Sequence, residues 1–339
     1  MKNIYLDVFG CDNPEKLIIG AAKASTELED GYMLIMPGNS GILKSGLEEN
    51  GADMSKLTVV DTPEVITNEE DPVSAVMKKR DSSLVRAMEL LRLDECGVGL
   101  VSAGNTGAVL CSAAAFLGRL PGVSFPALAT YLPCENGRFS VLLDCGANVD
   151  VDAHRLCTFA LLGTALARSF LKIGQPNVAL VSLGVEDKKG NALTKEAFGL
   201  MRQMPELTFM GNMEARDVLS GRYDVMVCDG FAGNMILKSI EGSALFVLRR
   251  TAEVMKKLLA DSGDMSLVKK TVGCVMEEID FTSIGGAMLL GVEKPVVKAH
   301  GNANEKTVGA CINQLIKIER GGLTAETRRI MENSMQKQK

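Results

Sequence analysis

The stretch GVGLVSAGNTGAVLCSAAAFL, residues 97–117, carries the pattern that decides the fold. An apolar run at Val98–Val101 passes into a small, glycine-bearing turn, Ser102-Ala103-Gly104-Asn105-Thr106-Gly107, and then into a helical pattern over Thr106–Leu117. A strand that is apolar on consecutive residues is covered on both faces, and one that feeds directly into a helix is half of a βαβ unit. The same rhythm extends outward in both directions. Further strands are expected at Ile4–Val8, Tyr32–Met36, Leu57–Val60, Ser140–Leu143, Val178–Val181, Thr208–Met210, Asp224–Val227 and Val296–Lys298. Helices are expected at Glu15–Glu29, Pro72–Leu93, Leu156–Phe170 and Ala303–Glu319. This alternation predicts an α/β fold of three layers around a mainly parallel sheet.

Between Asn234 and Glu278 the rhythm changes. Ser243–Leu259 and Met265–Ile279 are consecutive helical patterns joined by a turn containing Gly263, which predicts a helical hairpin over 243–280 protruding from the sheet. Met265, Leu267, Val268, Val272, Val275, Met276 and Ile279 fall at helical spacing in its second arm. That face suits packing on the body of the protein or on a second subunit. It also suits a membrane surface, for which Lys269 and Lys270 are favourable and Glu277, Glu278 and Asp280 are not. Elsewhere no repeat, low-complexity tract or long linker interrupts the chain, so residues 1–339 read as one α/β catalytic unit with two lobes. The charged tail Arg328–Lys339 reads as a frayed helix end.

Composition narrows the function. The 339 residues include 37 Lys and Arg against 42 Asp and Glu, a formal charge of −5, which speaks against nucleic acid as a partner. Nine cysteines without a CxxC spacing, and no signal peptide, indicate a reducing cytoplasm and mostly inert, buried thiols. With only His154 and His300 beside those scattered thiols, neither a metal nor another cofactor is expected. The longest uncharged apolar stretch, Leu156 to Ala167, is short of the roughly 20 residues that span a bilayer and reads as a buried helix.

Ligands of parallel α/β sheets bind beyond the carboxyl ends of strands, and five loops there carry the candidate chemistry. The first holds Gly104, Asn105, Thr106 and Gly107, small residues that let the backbone approach an anion at a helix start. It matches neither GxGxxG nor a Walker loop, which removes the main support for nicotinamide or ATP. The second, Leu143 to Asp150, contains Asp144 and Asn148; the third, Leu183 to Asn191, sets Lys188 and Lys189 beside Glu186 and Asp187. That charged turn is either solvated or directs a lysine at an anion. The fourth is Asp229-Gly230-Phe231-Ala232-Gly233-Asn234, and the fifth, Lys298-Ala299-His300-Gly301, carries one of the two histidines. Together they place Asn, Asp, Lys and His around a glycine-lined edge, which suits a small anion with a larger acyl partner.

These residues resemble the bacterial phosphate acyltransferases of phospholipid synthesis, the PlsX family. The matching segments are SAGNTGA (102–108), LLDCGANVD (142–150), GVEDKKGN (184–191), FMGNMEARD (209–217), CDGFAGNMILKSIEGSA (228–244), GGAMLLG (285–291) and VVKAHG (296–301), in the family's order over nearly the whole chain. The chain departs from the family's opening DAMGGD at Asp7-Val8-Phe9-Gly10-Cys11-Asp12, where Cys11 replaces a glycine. It also has Ala153-His154-Arg155 where Pro-Glu-His is usual, and Phe125 in place of an arginine. The resemblance implies a homodimer with a fold like the phosphotransacetylases and the isocitrate and isopropylmalate dehydrogenases. It implies phosphorolysis of acyl-[acyl carrier protein] by inorganic phosphate to acyl phosphate and free carrier protein. A glycerol-3-phosphate acyltransferase would be the partner that uses the product, and the enzyme would be cytoplasmic with peripheral contact at the inner face of the membrane.

By motif, Lys189 and Asn234 are the principal functional positions that the resemblance implies, with His300 as an orienter of phosphate or a proton acceptor. Gly104, Asn105, Thr106, Gly107, Asp144, Asn148, Asp187, Asp229 and Gly233 are expected to bind substrate. Phosphate already carries an oxygen nucleophile and a thiolate leaves without obligatory protonation, so the reaction needs position and charge rather than a triad. The same loops also suit a phosphotransacylase acting on acyl-CoA or another protein-bound thioester. A binding paralogue without catalysis is a third reading.

Overall fold

In this computed structural model, residues 1–258, 265–278, 284–300 and 303–337 are described. The sheet comprises β1 (Lys2–Asp7), β2 (Tyr32–Gly38), β3 (Leu57–Asp61), β4 (Gly97–Ser102), β5 (Ala127–Pro133), β6 (Phe139–Leu143), β7 (Asn177–Ser182), β8 (Thr208–Glu214), β9 (Val225–Val227), β10 (Ala287–Leu290) and β11 (Val296–Lys298). Their order is β3-β2-β1-β4-β11-β10-β5-β6-β9-β7-β8. The first five strands in that order are parallel to one another, and so are the last four. Between them β10 and β5 each run antiparallel to both neighbours, so the two parallel halves point in opposite directions.

The register at this reversal positions the site. Val297 of β11 pairs with Met288, Met288 with Ala129, and Ala129 with Leu143 of β6. Lys298 and Leu143, the last residues of β11 and β6, therefore lie within one rung of each other. Three strand spacings, about 14 Å, separate them sideways. The loops that follow leave in opposite directions from nearly the same level.

Helices cover both faces. They are α1 (Pro14–Glu27), α2 (Ser40–Glu49), α3 (Pro72–Lys78), α4 (Ser83–Leu93), α5 (Thr106–Ser112), α6 (Ala153–Ser169), α7 (Ala192–Met201), α8 (Gly230–Leu258), α9 (Met265–Glu278), α10 (Glu305–Gly321) and α11 (Leu323–Lys337). One face carries a single core running across both halves, from Ile4, Leu34 and Leu315 through Ala129 and Tyr131 to Phe159, Val178 and Val225. The other face carries two separate cores. Leu100, Leu289 and Val296 pack there with α3, α4 and α5, while Leu142, Met226 and Cys228 pack with the start of α8. The gap between these two cores lies over β10 and β5. Side chains alternate along β5, so Ala127, Ala129 and Tyr131 enter the continuous core and Leu132 faces the other way.

The expected three-layer, mainly parallel architecture is what forms, with several local differences. Both antiparallel strands, β5 and β10, fall where no strand was expected, as do α2 and α7. The helix expected over Pro72–Leu93 is two helices, because Asp71 caps α3 and Ser82 caps α4 in a new direction. The helical pattern at Thr106–Leu117 forms α5 and then widens into a π-helical turn over Ala113–Leu117. The tail is not frayed at Arg328, since α11 continues to Lys337 and buries Ile330 and Met331 to 2% and 4% exposure. The first arm of the expected hairpin begins at Gly230 rather than Ser243, making α8 29 residues long, and α9 packs back on it. Leu259, Gly263, Ile279 and Asp280 lie outside the described residues, as do the side chains of Met265 and Glu277. Among the described residues α8 is the one helix long and apolar enough to cross a membrane by length and composition, yet its Ile236, Leu237 and Ile240 pack on the core of Leu142, Met226 and Cys228.

Gln314, buried on α10, fixes the start of β10. Its Oε1 accepts from the Gly286 amide at 2.9 Å and its Nε2 donates to the Gly286 carbonyl at 3.1 Å. Gly285 sits at φ +137°, where a Cβ would lie 2.1 Å from that oxygen. Gln314→Leu leaves both backbone groups unpaired and is expected to lower stability by about 1–3 kcal/mol. Urea unfolding of the two proteins measures this; equal midpoints would mean that water replaces the amide at no cost.

Candidate active site

At the carboxyl edge of the first half, β1 ends in Asp7, β4 in Ser102 and β11 in Lys298. Asp7 is 1% exposed and accepts hydrogen bonds from Ser83 Oγ at 2.7 Å and Ser102 Oγ at 2.8 Å. Burial pushes its carboxyl up to about 6, against the pull of the two hydroxyls, the Phe9 backbone and the Lys298 charge. Lys298 is 7% exposed, and burial pushes its ammonium down to about 8. Its Nζ donates to the carbonyls of Ala103, at 3.4 Å, and Ala299. The following turn is held by Asn105, whose Oδ1 caps α5 through the Ala108 amide while its Nδ2 reaches the carbonyls of Thr67 and Asn68. Gly107 admits Pro72, which a Cβ would meet at 2.6 Å.

In the second half, Asp144 follows β6, fully buried. It accepts from the backbone amides of Leu128, Ala147 and Asn148 at 3.1, 3.0 and 2.6 Å, and from Asn148 Nδ2 at 2.7 Å. Burial raises its carboxyl while these bonds oppose the shift. Asn148 Nδ2 also donates to Pro126 O at 2.8 Å. These bonds fold the loop so that α8 can start against it. Asp229 accepts from the Ala232 amide at 2.7 Å, and Gly233 passes so close to Asp144 that a Cβ would lie 1.9 Å from its carbonyl oxygen. This close approach seats Asn234 beside Gly146, whose Cβ, if present, would be 3.7 Å from that of Asn234.

Between the halves, over β10 and β5, opens a cavity of about 420 Å³. Thr106, Lys298 and His300 line it from the first half, Cys145, Gly146 and Asn234 from the second. Lys238 and Glu241, one and two turns beyond Asn234 on α8, complete that wall. His300 Nε2 lies 3.1 Å from Lys238 Nζ, and Lys238 is paired to Glu241 at 2.8 Å. An ammonium has no acceptor, so in this contact the lone pair of Nε2 faces Lys238. Burial raises the Cys145 and Cys228 thiols far above their usual range.

The cavity thus gathers Thr106, Asn234 and His300 from the sequence-based candidates. Gly104, Asn105 and Gly107 shape the turn behind Thr106, and Asp144, Asn148, Asp229 and Gly233 stand behind Asn234. Lys189 lies elsewhere, exposed on the loop after β7 with its amide donating to Glu186 O at 3.0 Å. Asp187, on the same loop, pairs with Arg202 at 3.2 Å. Gly301 lies outside the described residues. At the divergent position 125, the Phe125 ring carries the Arg155 guanidinium stacked 3.8 Å above it. The sequence places Lys298 in a candidate loop without a role of its own and gives no sign of Asp7, although each is a charge closing an apolar strand, Ile4-Tyr5-Leu6-Asp7 and Val296-Val297-Lys298. Lys238 and Glu241 were hidden because the start of α8 was read as a loop. Among the described residues no group of three or more His, Cys, Asp or Glu side chains is placed to hold a metal ion.

The sequence profile described as fatty acid synthesis protein matches residues 2–325. A phosphate acyltransferase from Thermoanaerobacter pseudethanolicus is 40% identical over 312 residues, spanning 92% of each chain. One from Brevibacillus brevis is 34% identical over 334 residues, spanning 98% of this chain and 97% of its own. Among solved structures, a phosphotransacetylase from Streptococcus pyogenes superposes over 94% of both chains with a TM-score of 0.66 at 17% identity. That likeness is one of fold, and it matches the architecture expected from the sequence.

The Asp7 carboxyl gives a measurable pH signature. Between about pH 4 and 6 the folded protein holds a proton that the unfolded chain has released, so this contribution to stability is present below the unfolded pKa and lost as pH rises through 6. The loss is about 3 kcal/mol. Asp7→Asn removes it, so the stability of the variant relative to wild type should rise by that amount across the window in urea titrations. A constant difference would show that Asp7 titrates as an ordinary carboxylate.

Proposed function

The chain belongs to the fatty acid synthesis protein family that includes the phosphate acyltransferases and is itself an acyltransferase, and from that premise we propose that it phosphorolyses acyl-[acyl carrier protein] to acyl phosphate for phospholipid synthesis. The observation that carries this reading is the placement of Asn234 against Gly146, in one cavity with Thr106 and His300. A phosphate oxygen attacks the thioester carbonyl carbon, a C–O bond forms, and the C–S bond breaks as the tetrahedral intermediate collapses. The single proton of hydrogen phosphate ends on the departing thiol. Asn234 donates its side-chain amide to the developing oxyanion, which is the contribution such donors make in acyl transfer. His300, on the cavity wall, is suited to orient the phosphate and receive its proton.

Lys189 supplies charge to the phosphate from the neighbouring loop. Among the described residues it makes no ion pair, whereas Asp187 beside it is engaged by Arg202. Asp144, Asn148, Asp229 and Gly233 support the substrate through the loop and helix they hold, and Gly104, Asn105, Thr106 and Gly107 form the opposite rim. The enzyme acts without a metal or other cofactor, in the cytoplasm. Phe246, Val247, Val254 and Leu258 of α8 are exposed apolar side chains, as are Leu267 and Met276 of α9. They support a homodimer built through the hairpin, with peripheral contact to the membrane near a glycerol-3-phosphate acyltransferase that consumes the product.

Transfer of labelled inorganic phosphate into acyl phosphate, with matched acyl-[acyl carrier protein] and acyl-CoA, tests the substrate. Label from the carrier-protein substrate is expected; preference for short acyl-CoA would replace this reading with a phosphotransacylase. Asn234→Ala and Lys189→Ala should each lower turnover about 100-fold or more, with circular dichroism unchanged. Wild-type rates in either variant would remove that residue from the mechanism.

A further inference from the structure

The fixed charges of the cavity are unevenly distributed. Lys238 is paired with Glu241 in the wall, but Lys298, which is buried, has no carboxylate within ion-pair distance among the described residues. Asp7 is its neighbour in charge, yet the Asp7 oxygens are engaged by Ser83 and Ser102 rather than by the ammonium. An ammonium has three donors, and among the described residues two of those of Lys298 go to the neutral carbonyls of Ala103 and Ala299. A buried cation normally requires a partner in contact, because the effective penalty for stripping its water is several kcal/mol. That leaves one N–H donor without a partner among the described residues, on a side chain that lines the cavity.

We propose that Lys298 is a phosphate-binding residue of this cavity, contributing the buried cation to which inorganic phosphate binds, with Asp7 as a positioning residue beside it. The proposal deepens the phosphorolysis reading and rests on it for the identity of the anion. The register supports it, since Lys298 ends β11 level with the start of β10, on the rim shared with Thr106 and His300 and across from Asn234. Phosphate held there lies between the two halves of the sheet, where a thioester carbonyl presented to Asn234 can be reached.

Phosphate saturation kinetics and equilibrium binding of labelled inorganic phosphate, measured separately, test this. Lys298→Met should raise both the phosphate KM and the phosphate Kd about 10- to 100-fold while the KM for the acyl thioester stays within about twofold. Lys298→Arg should recover part of the loss. The titratable and charged groups around Lys298 are Cys11, Asp7 and Asp12 from the β1 side, Cys311 from α10, His300 on the same rim, and Tyr131, Cys145, Lys238 and Glu241 in the rest of the cavity lining. Removing the Asp7 charge makes the ammonium easier to deprotonate. In Asp7→Asn the alkaline rise of the phosphate KM should therefore start about one pH unit lower than in wild type. Phosphate's own ionisation is common to both proteins and cancels.

An active wild type with phosphate KM and Kd unchanged in Lys298→Met overturns the subsite and leaves the reaction intact. Lys298-dependent phosphate binding in a protein that forms no acyl phosphate overturns the reaction and leaves the subsite. If Lys298→Met fails to fold, the Asp7→Asn profile decides, and coincidence with wild type would overturn the proposal.

Discussion

Two short strands that oppose their neighbours govern this structure. β10 and β5 reverse the direction of the sheet, so hydrogen bonding across its middle is antiparallel while both flanks are parallel. A fully parallel sheet would place all carboxyl ends along one edge. The reversal instead sends the loops of the halves away from each other, and only the shortness of β10, β11 and β6 brings Lys298 and the Asp144 loop near a common level. Because α5 and α8 each belong to one flank, neither covers the middle, and the uncovered strip becomes the cavity. On the opposite face, α6, α10 and α11 close over the same strands with a continuous core, which ties the halves together.

The parallel strands were legible because burial on both faces imposes unbroken apolar runs such as Val178–Val181 and Val141–Leu143. β5 and β10 were not. Ala127–Pro133 mixes small, polar and aromatic residues because one face enters a core and the other lines the cavity, and Ala287–Leu290 is too short to show a period. Much of the candidate site was readable as glycine-bounded strand ends. Its three-dimensional division was not, because Gly230 and Gly233 look like loop residues in sequence and are helical in the fold. They are glycine since the backbone of Asn148 and Asp144 occupies the space of a Cβ. The pairing of Asp7 with Ser83 and Ser102 joins residues too distant along the chain for any local pattern to reveal.

Buried carboxylates in the two halves do different work. Asp144 has four hydrogen bonds from its own loop and from β5, which fill its lone pairs and turn it into a structural knot. Asp7 has two hydroxyl donors and a nearby but separate ammonium, a looser arrangement that leaves charge uncompensated. The first stiffens the platform for α8, and the second sets a field at the mouth of β1 and β11. Under the proposed reaction, rigid support behind Asn234 with residual charge opposite it would be the division of labour that preorganised electrostatic catalysis requires.

The thiols in and behind the cavity wall bear on selectivity. Any cysteine near an acyl thioester is a competing acceptor, and trans-thioesterification would leave the acyl group stranded on the protein. Cys145 lines the cavity but spends its proton on the Leu142 carbonyl at 3.2 Å, and Cys228 lies behind it with its thiol held protonated by burial and by neighbouring negative charge. Thiolate is the reactive form, so these side chains are chemically mute toward an activated carbonyl. The wall can be lined with sulfur, packing as a small apolar atom, without diverting the acyl group from the acceptor it is meant to reach.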